Sequence, residues 1–339
     1  FIRKNKKLFA SGFAKVMDVP GFNYRVYKYD TSIKQIPQGF ILGSETASTV
    51  SSRGIYKFPV KITDNGVYPD GQCSSYDTEY CGWSNLPEAD LLMQDDRNYT
   101  IGQFVWTGFD YLGEPTPYDT YWPSRSSYFG ICDLAGLPKD RFYLYRSVWN
   151  KEKHTLHILP HWTWPGREGK VTPVFVYTDY PSAELFVNGK SQGRVYKQSY
   201  SVAAASANTE KPQLENMDML RRYRLMWDKV KYEPGEIKVV AYNANGEKAE
   251  EKMICTAGKA AKLEAKADRN EIKADGNDLA FVTISLTDKK GNLIPDGSDE
   301  LTFDVKGAGS FKAACNGDAT SLESFTQPQM KLLKLLLLK

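Results

Sequence analysis

The chain has 339 residues, of which 41% are apolar and 25% charged, with a formal net charge of +3. This is ordinary globular composition with room for two or three domains. So small a charge gives no ground for a nucleic-acid or anionic-membrane partner, and neither is expected.

Residues 1–15 are basic and predict a helix ending near Gly12. Residues 15–24 read as a strand ending in the polar pair Asn23 and Tyr24, and a helical stretch over 27–34 follows. Phe40-Ile41-Leu42 is a short apolar strand that stops abruptly in Gly43-Ser44-Glu45-Thr46-Ala47-Ser48-Thr49. Near-continuous apolar runs mark buried parallel strands. A carboxylate just past the C-terminal end of one sits where α/β enzymes keep their chemistry. The plain alternative for Glu45 is a solvated loop acid. A second stretch shifts the balance: residues 102–118 again run from an apolar strand into a loop, here carrying Trp106, Asp110, Tyr111 and Glu114. The connection between the two, residues 50–100, contains a predicted helix over 88–97, and its length marks a functional loop or an added helix. Residues 141–149 form an amphipathic helix with Asp140 near its start. Three strands, each ending in polar groups and each followed by helix, argue for a parallel sheet of the barrel type.

From about residue 154 the texture changes to short alternating segments at 154–159, 174–177, 183–187 and 237–242. Asn188-Gly189 supplies two residues that tolerate positive φ, a hairpin signal. Pro234-Gly235 and residues 243–246 mark further turns. This reads as an antiparallel sandwich of immunoglobulin type. A further sandwich starts near 260, with strands at 261–267, 279–286 and 301–305 and a turn at 289–292. It reads as cut before its last strand. The tail, residues 330–339, is a low-complexity Leu/Lys run too short to span a bilayer, and it reads as a truncated end rather than an amphipathic helix. The expected fold class is therefore multidomain, α/β followed by all-β, divided at 1–152, 153–258 and 259–339.

Five cysteines, an odd number without metal-ligand spacing, read as free thiols and give no compartment. The three histidines, His154, His157 and His161, lie on an alternating segment interrupted by Pro160, so His154 and His157 face opposite sides and no metal site is expected.

Ser44-Glu45-Thr46-Ala47-Ser48-Thr49, together with Phe104-Val105-Trp106-Thr107-Gly108-Phe109-Asp110-Tyr111-Leu112-Gly113-Glu114-Pro115-Thr116, resembles the motifs of the family 2 glycoside hydrolases, specifically their β-galactosidase branch. Pro160-His-Trp-Thr-Trp-Pro165 and residues 183–190 look like the sandwich that follows the barrel in that family. The resemblance covers nearly the whole chain. It implies the C-terminal part of a (β/α)8 TIM barrel, its last three strands, followed by two immunoglobulin-like β-sandwiches. It also implies retaining hydrolysis of terminal β-D-galactosides through a covalent glycosyl-enzyme on Glu45. Retention needs a second carboxyl about 5–5.5 Å away as acid/base. The family places it in an Asn-Glu pair on an earlier strand. Residues 1–44 contain no such pair, and Glu215-Asn216 has the reverse order. The chain is thus expected to be the C-terminal piece of a larger enzyme, inactive alone.

The resemblance further implies that Tyr24 orients the nucleophile, that Trp106 forms the apolar wall beneath the sugar, and that Asn23 and Asp110 meet substrate, with a neighbouring loop the alternative partner of Asp110. Tyr24 as a core tyrosine and Trp106 as a packed barrel tryptophan stay open. Glu114 reads as a brace for the Pro115-Thr116-Pro117 turn. Two positions depart from some family members: Phe129 replaces an Asn and Ser48 a His, so their metal requirements do not carry over. No cofactor is expected, and the partner is a carbohydrate substrate. A homo-oligomer is left open, and the resemblance points to the periplasm or secretion. A β-glucuronidase or β-mannosidase is the alternative within the family. A non-catalytic carbohydrate-binding or adhesion module is the alternative outside it.

Overall fold

The computed structural model describes residues 9–202 and 216–331 and the backbone of 335–338. The basic residues 1–8, Glu215, and residues 332–334 and 339 of the tail lie outside the described residues. Five strands precede Trp106: β1 (Gly21–Asn23), β2 (Ile41–Thr46), the short pair β3 (Thr63–Asp64) and β4 (Glu79–Tyr80), and β5 (Thr100–Val105). β1, β2 and β5 form one parallel sheet in that order. β1 is shorter than the predicted strand, because Phe13–Lys15 winds into a 3-10 turn and Pro20, which has no N–H for a ladder, stands just before it.

Each of these strands leads to helix. After β1 comes Tyr29–Ser32 between two 3-10 turns, after β2 comes Pro87–Asp96, and after β5 comes Asp140–Trp149. Pro87 occupies the first helical turn, where its missing N–H costs nothing. Phe22, Ile41, Leu91, Leu92, Met93 and Leu144 join strands and helices in one buried core. Both outer edges of the sheet are unpaired among the described residues, and on β5 Ile101 and Phe104 are 56% and 66% exposed. Three strands close no barrel.

Seven strands follow: β6 (Leu156–Leu159), β7 (Val174–Thr178), β8 (Ser182–Val187), β9 (Lys190–Tyr196), β10 (Arg224–Trp227), β11 (Glu236–Tyr242) and β12 (Lys248–Cys255). They form two antiparallel sheets, β10-β7-β6 and β12-β11-β8-β9, closed over Trp162, Leu185, Ile237 and Val239. Asn188 and Gly189, at φ 48° and 77°, make the expected hairpin between β8 and β9. Every residue of β7 is buried. Its alternate side chains serve two cores: Val174 and Val176 face the sandwich, whereas Phe175 and Tyr177 face the core of the parallel sheet. Each such side chain is worth about 1.5–3 kcal/mol on burial, which welds the two units together. Arg224 of β10 is fully buried at the same seam. It pairs with Glu88 and donates to the carbonyls of Tyr76 (2.7 Å) and Asp77 (2.8 Å).

The last strands are β13 (Ala260–Ala267), β14 (Val282–Asp288), β15 (Glu300–Thr302), β16 (Ala314–Cys315), β17 (Gln329–Lys331) and β18 (Leu335–Leu338), in sheets β13-β14-β18-β16 and β15-β17. β13 alternates in sequence but is exposed along its whole length, because it is an edge strand whose alternate residues are mostly small alanines. Within the leucine-rich tail, the backbone of Leu335–Leu338 pairs antiparallel with Val282–Ser285 on one side and Ala314–Cys315 on the other. An unbroken apolar run suits a strand with neighbours on both edges.

Cys73, Cys81, Cys132 and Cys255 are free thiols. Among the described residues no helix is long and apolar enough to cross a membrane.

Candidate active site

Within β2, Ile41, Gly43 and Thr46 are buried while Ser44 and Glu45 are half-buried, so the carboxylate is held at the sheet's C-terminal rim within reach of solvent. Glu45 lies opposite Asn23 in the ladder, and its carbonyl accepts the Tyr24 N–H at 2.7 Å. The Tyr24 hydroxyl donates to Glu45 Oε2 at 3.0 Å. Tyr24 is 6% exposed, and its hydroxyl is held well above the ordinary tyrosine range, first by burial and further by the neighbouring Glu45 charge. It therefore stays protonated and donates to the carboxylate throughout the working range. The Asn23 side chain turns to Ser44 instead, its Oδ1 accepting the Ser44 hydroxyl at 2.7 Å.

The backbone at this rim is strained. Tyr24, Arg25 and Ala47 take positive φ of 54°, 66° and 48° without being glycine. Each such residue costs roughly 1–2 kcal/mol, and strain of this kind clusters at functional sites. It is stabilised by fixed partners. Arg25 donates to the Trp83 carbonyl at 2.8 Å, and the Ser48 N–H donates to Ser84 Oγ at 2.7 Å. Asp90, wholly buried on helix Pro87–Asp96, accepts from Asn85 at 2.5 Å. Burial pushes the Asp90 carboxyl up to about 7 despite that hydrogen bond.

The second predicted stretch stands beside the first. The Trp106 N–H donates to the Thr46 carbonyl at 2.9 Å, and the half-buried indole meets the Tyr111 ring edge-on at 6.1 Å. Tyr111 donates to the exposed Glu114 carboxylate. Glu114 therefore braces the Tyr111 ring, and Thr116 itself turns to Asp119 at 2.7 Å. Asp110 is placed differently from Glu45. It is 6% exposed, with one oxygen taking the Gly130 N–H at 2.8 Å and the other paired with Lys139 Nζ at 2.7 Å. Both its oxygens are thus engaged inside the protein. Burial dominates this pair, pushing Asp110 up to about 6 and Lys139 below the ordinary lysine range.

Lys139 and Arg141 carry no functional signal in the sequence. Both are buried and tie the loop after β2 to the loop after β5. Lys139 donates to Ser51 O (2.6 Å) and Tyr128 O (3.2 Å). Arg141 donates to Thr49 O, Phe129 O (3.0 Å) and Gly130 O (2.8 Å). Phe129 is fully buried beneath this clamp.

The histidines are spent on local contacts. His154 faces Asp179 at 2.5 Å, His157 faces Asp140 at 2.6 Å and stacks on Tyr143 at 3.9 Å, and His161 stacks on Trp164 at 4.0 Å. Among the described residues no group of three or more His, Cys, Asp or Glu is placed to hold a metal ion.

Residues 263–338 match the glycoside hydrolase family 2 C-terminal domain 5, and residues 169–250 match a domain of unknown function, DUF4982. The chain is 40% identical over 338 residues to the β-galactosidase BoGH2A of Bacteroides ovatus, covering 96% of this chain and 36% of that protein. It is 31% identical over 239 residues to a putative β-glucuronidase of Formosa agariphila, covering 70% of this chain and 21% of that protein. Among solved structures it is similar to a β-glycosidase from Bacteroides vulgatus (TM-score 0.77, 27% identity, 97% of this chain and 43% of that one). It is also similar to a glycosyl hydrolase family 2 member from Bacteroides cellulosilyticus (TM-score 0.71, 26% identity, 95% and 38%). The chain thus spans about a third or less of the length of these two curated relatives. These matches place the chain in glycoside hydrolase family 2.

Proposed function

We propose that the protein carrying this chain is a retaining hydrolase of terminal β-D-galactosides, and that Glu45 is its nucleophile. The observation that supports this most is the Tyr24 hydroxyl on Glu45 Oε2 at 3.0 Å, at the C-terminal rim of adjacent parallel strands. On this reading β1, β2 and β5 belong to a (β/α)8 barrel whose other strands lie outside the chain, which accounts for two unpaired sheet edges and for exposed Ile101 and Phe104. The units 1–152, 153–258 and 259–339 are then the end of the barrel and two immunoglobulin-like sandwiches.

The chemistry takes two steps. The Glu45 carboxylate attacks the anomeric carbon while the bond to the leaving oxygen breaks, and that oxygen takes a proton from a carboxylic acid outside this chain. Water then attacks the glycosyl-Glu45 ester, giving its proton to that same carboxylate and freeing Glu45. Tyr24 orients Glu45 without competing for its negative charge, since its own proton is held tightly. Trp106 offers an apolar face to the sugar ring. Asn23 and Asp110 act by position: Asn23 fixes Ser44 beside the nucleophile, and Asp110 anchors the loop after Trp106.

The sugar is the finer part of the proposal. The relative matched at 40% is named a β-galactosidase and the one at 31% a putative β-glucuronidase, so the second reading is glucuronide hydrolysis. A panel of nitrophenyl glycosides tests both with the full-length protein. Turnover of the β-galactoside, abolished in Glu45→Gln, is the expected result. Turnover confined to the β-glucuronide overturns the substrate assignment, and full activity of Glu45→Gln overturns the nucleophile.

A further inference from the structure

Residues 316–323 belong to the last β-sandwich in sequence, yet they are built into the support of the loop that carries Trp106. Ala319, 5% exposed, packs in one cluster with Val50, Tyr118, Tyr128 and Phe129, and Trp106 and Tyr111 rest against the same cluster. Three polar ties accompany this packing. Arg53, from the loop after β2, donates to Asn316 O at 3.0 Å and pairs with Asp133 at 2.5 Å. Gln72 donates to Asp318 Oδ1 at 2.7 Å. Arg125 donates to Ser321 O and Glu323 O, both at 3.0 Å.

Arg125 faces two ways. Its guanidinium holds 316–323, while its carbonyl accepts the Gly113 N–H at 2.8 Å, and two residues on, the Ser127 N–H donates to Tyr111 O at 2.9 Å. The segment Tyr111-Leu112-Gly113-Glu114 is thus paired along its backbone with a strand whose side chain is gripped by the sandwich. Approach on the other side is equally close. Gly317 sits at φ +74°, and a Cβ there would lie 2.0 Å from the Asp133 carboxylate that Arg53 binds. Only glycine fits that position without moving Asp133.

We propose that loop 316–323 is a positioning element of the active site, holding the 106–114 loop in register with Glu45, so that the last sandwich sets turnover and does not only brace the barrel. This rests on the reading of Glu45 as nucleophile. A loop is the mobile part of a fold unless a supporting shell locks it. A misplacement of about 1 Å at the reacting centre costs up to roughly a hundredfold in rate.

The test uses the full-length protein with Arg125→Ala, Arg125→Lys, Asp318→Ala and Gly317→Ala. Arg125→Ala and Gly317→Ala are expected to lower kcat about ten- to a hundredfold, with KM changing far less. Asp318→Ala should act in the same direction more weakly, and Arg125→Lys should recover part of the loss through one retained donor. Amide hydrogen exchange over 106–114 should accelerate in Arg125→Ala, while exchange across β6–β12 stays as in the parent. Arg269→Ala, which breaks an exposed pair with Asp268 and Asp278 elsewhere in the same sandwich, should change nothing. Folded Arg125→Ala and Asp318→Ala variants with parental kcat and parental exchange over 106–114 overturn the proposal. Should Arg125→Ala not fold, Asp318→Ala decides alone. Glu45→Gln run alongside separates the two readings: if it stays active the nucleophile assignment fails, while the exchange data still report whether the sandwich holds the loop.

Discussion

Replacing Lys139 with Met keeps much of the side-chain volume and removes a charge that is wholly enclosed. Its ammonium pairs with Asp110 at 2.7 Å and donates to Ser51 O and Tyr128 O, and no part of its side chain is exposed. Deleting one member of a buried pair leaves the other uncompensated, which costs about 3–5 kcal/mol. Asp110 can escape part of that cost by taking a proton, and it is already pushed up to about 6 with Lys139 present. Without Lys139 its folded-state value rises further above the unfolded one. A carboxyl whose folded value is raised stabilises the protein at low pH, and that contribution is lost as pH rises toward the folded value. The thermal unfolding midpoint of Lys139→Met should therefore fall most at pH 8 and least at pH 5. The double variant Lys139→Met/Asp110→Asn removes both charges and should recover most of the loss and its pH dependence. Differential scanning of the parent and the three variants at four pH values measures this. A single-variant loss that is small and independent of pH would refute the reasoning, since it would mean that water reaches Asp110.

Tyr24→Phe removes one hydrogen bond to a charged acceptor, worth roughly 1.5–3 kcal/mol. The expected drop in kcat is about ten- to a hundredfold with the unfolding midpoint little changed, and unchanged kinetics would make Tyr24 a core residue only. Asp90 is pushed up to about 7 by burial, so it stabilises the fold at low pH and costs stability as pH rises from about 4 to 7. Asp90→Asn should therefore be better tolerated at pH 8 than at pH 5, by on the order of 2–4 kcal/mol, read as the change in unfolding midpoint between the two. Arg224→Met should uncouple the parallel-sheet unit from the first sandwich by stranding the buried Glu88, splitting one thermal transition into two.

The elements around the candidate site were legible because their signals are local. An apolar strand ending in Ser-Glu, and another ending in Trp before a Gly- and Pro-rich loop, need only their own residues to be read, and both lie on the parallel sheet. The hairpin at Asn188-Gly189 is equally local, since it rests on two positive-φ residues. What was not legible depends on partners distant in the chain. Nothing in the sequence sets Lys139 apart from a surface lysine until Asp110, Ser51 and Tyr128 close around it. Asp110 looked like a sugar contact because its motif is intact, yet its environment is set by Lys139. The pairing of Leu335–Leu338 was not legible, because composition alone cannot say that Val282–Ser285 lies beside it. The seat of Ala319 beneath Trp106 spans more than two hundred residues of chain, and no periodicity reports it. β7 was recognised as a strand, but that its two faces serve two different cores follows only from what packs on each.

The most direct test of Glu45 as nucleophile is to trap the intermediate. The full-length protein would be incubated with a 2-deoxy-2-fluoro-β-galactoside carrying a good leaving group, digested, and mapped by mass spectrometry. The fluorine slows both steps, and the leaving group restores only the first, so the glycosyl ester accumulates. One fluorosugar on the peptide containing Ser44-Glu45-Thr46, with fragment ions placing it on Glu45, is the expected result. An adduct on any other carboxylate, or turnover of ordinary galactosides by an enzyme whose Glu45 stays unlabelled, would contradict it.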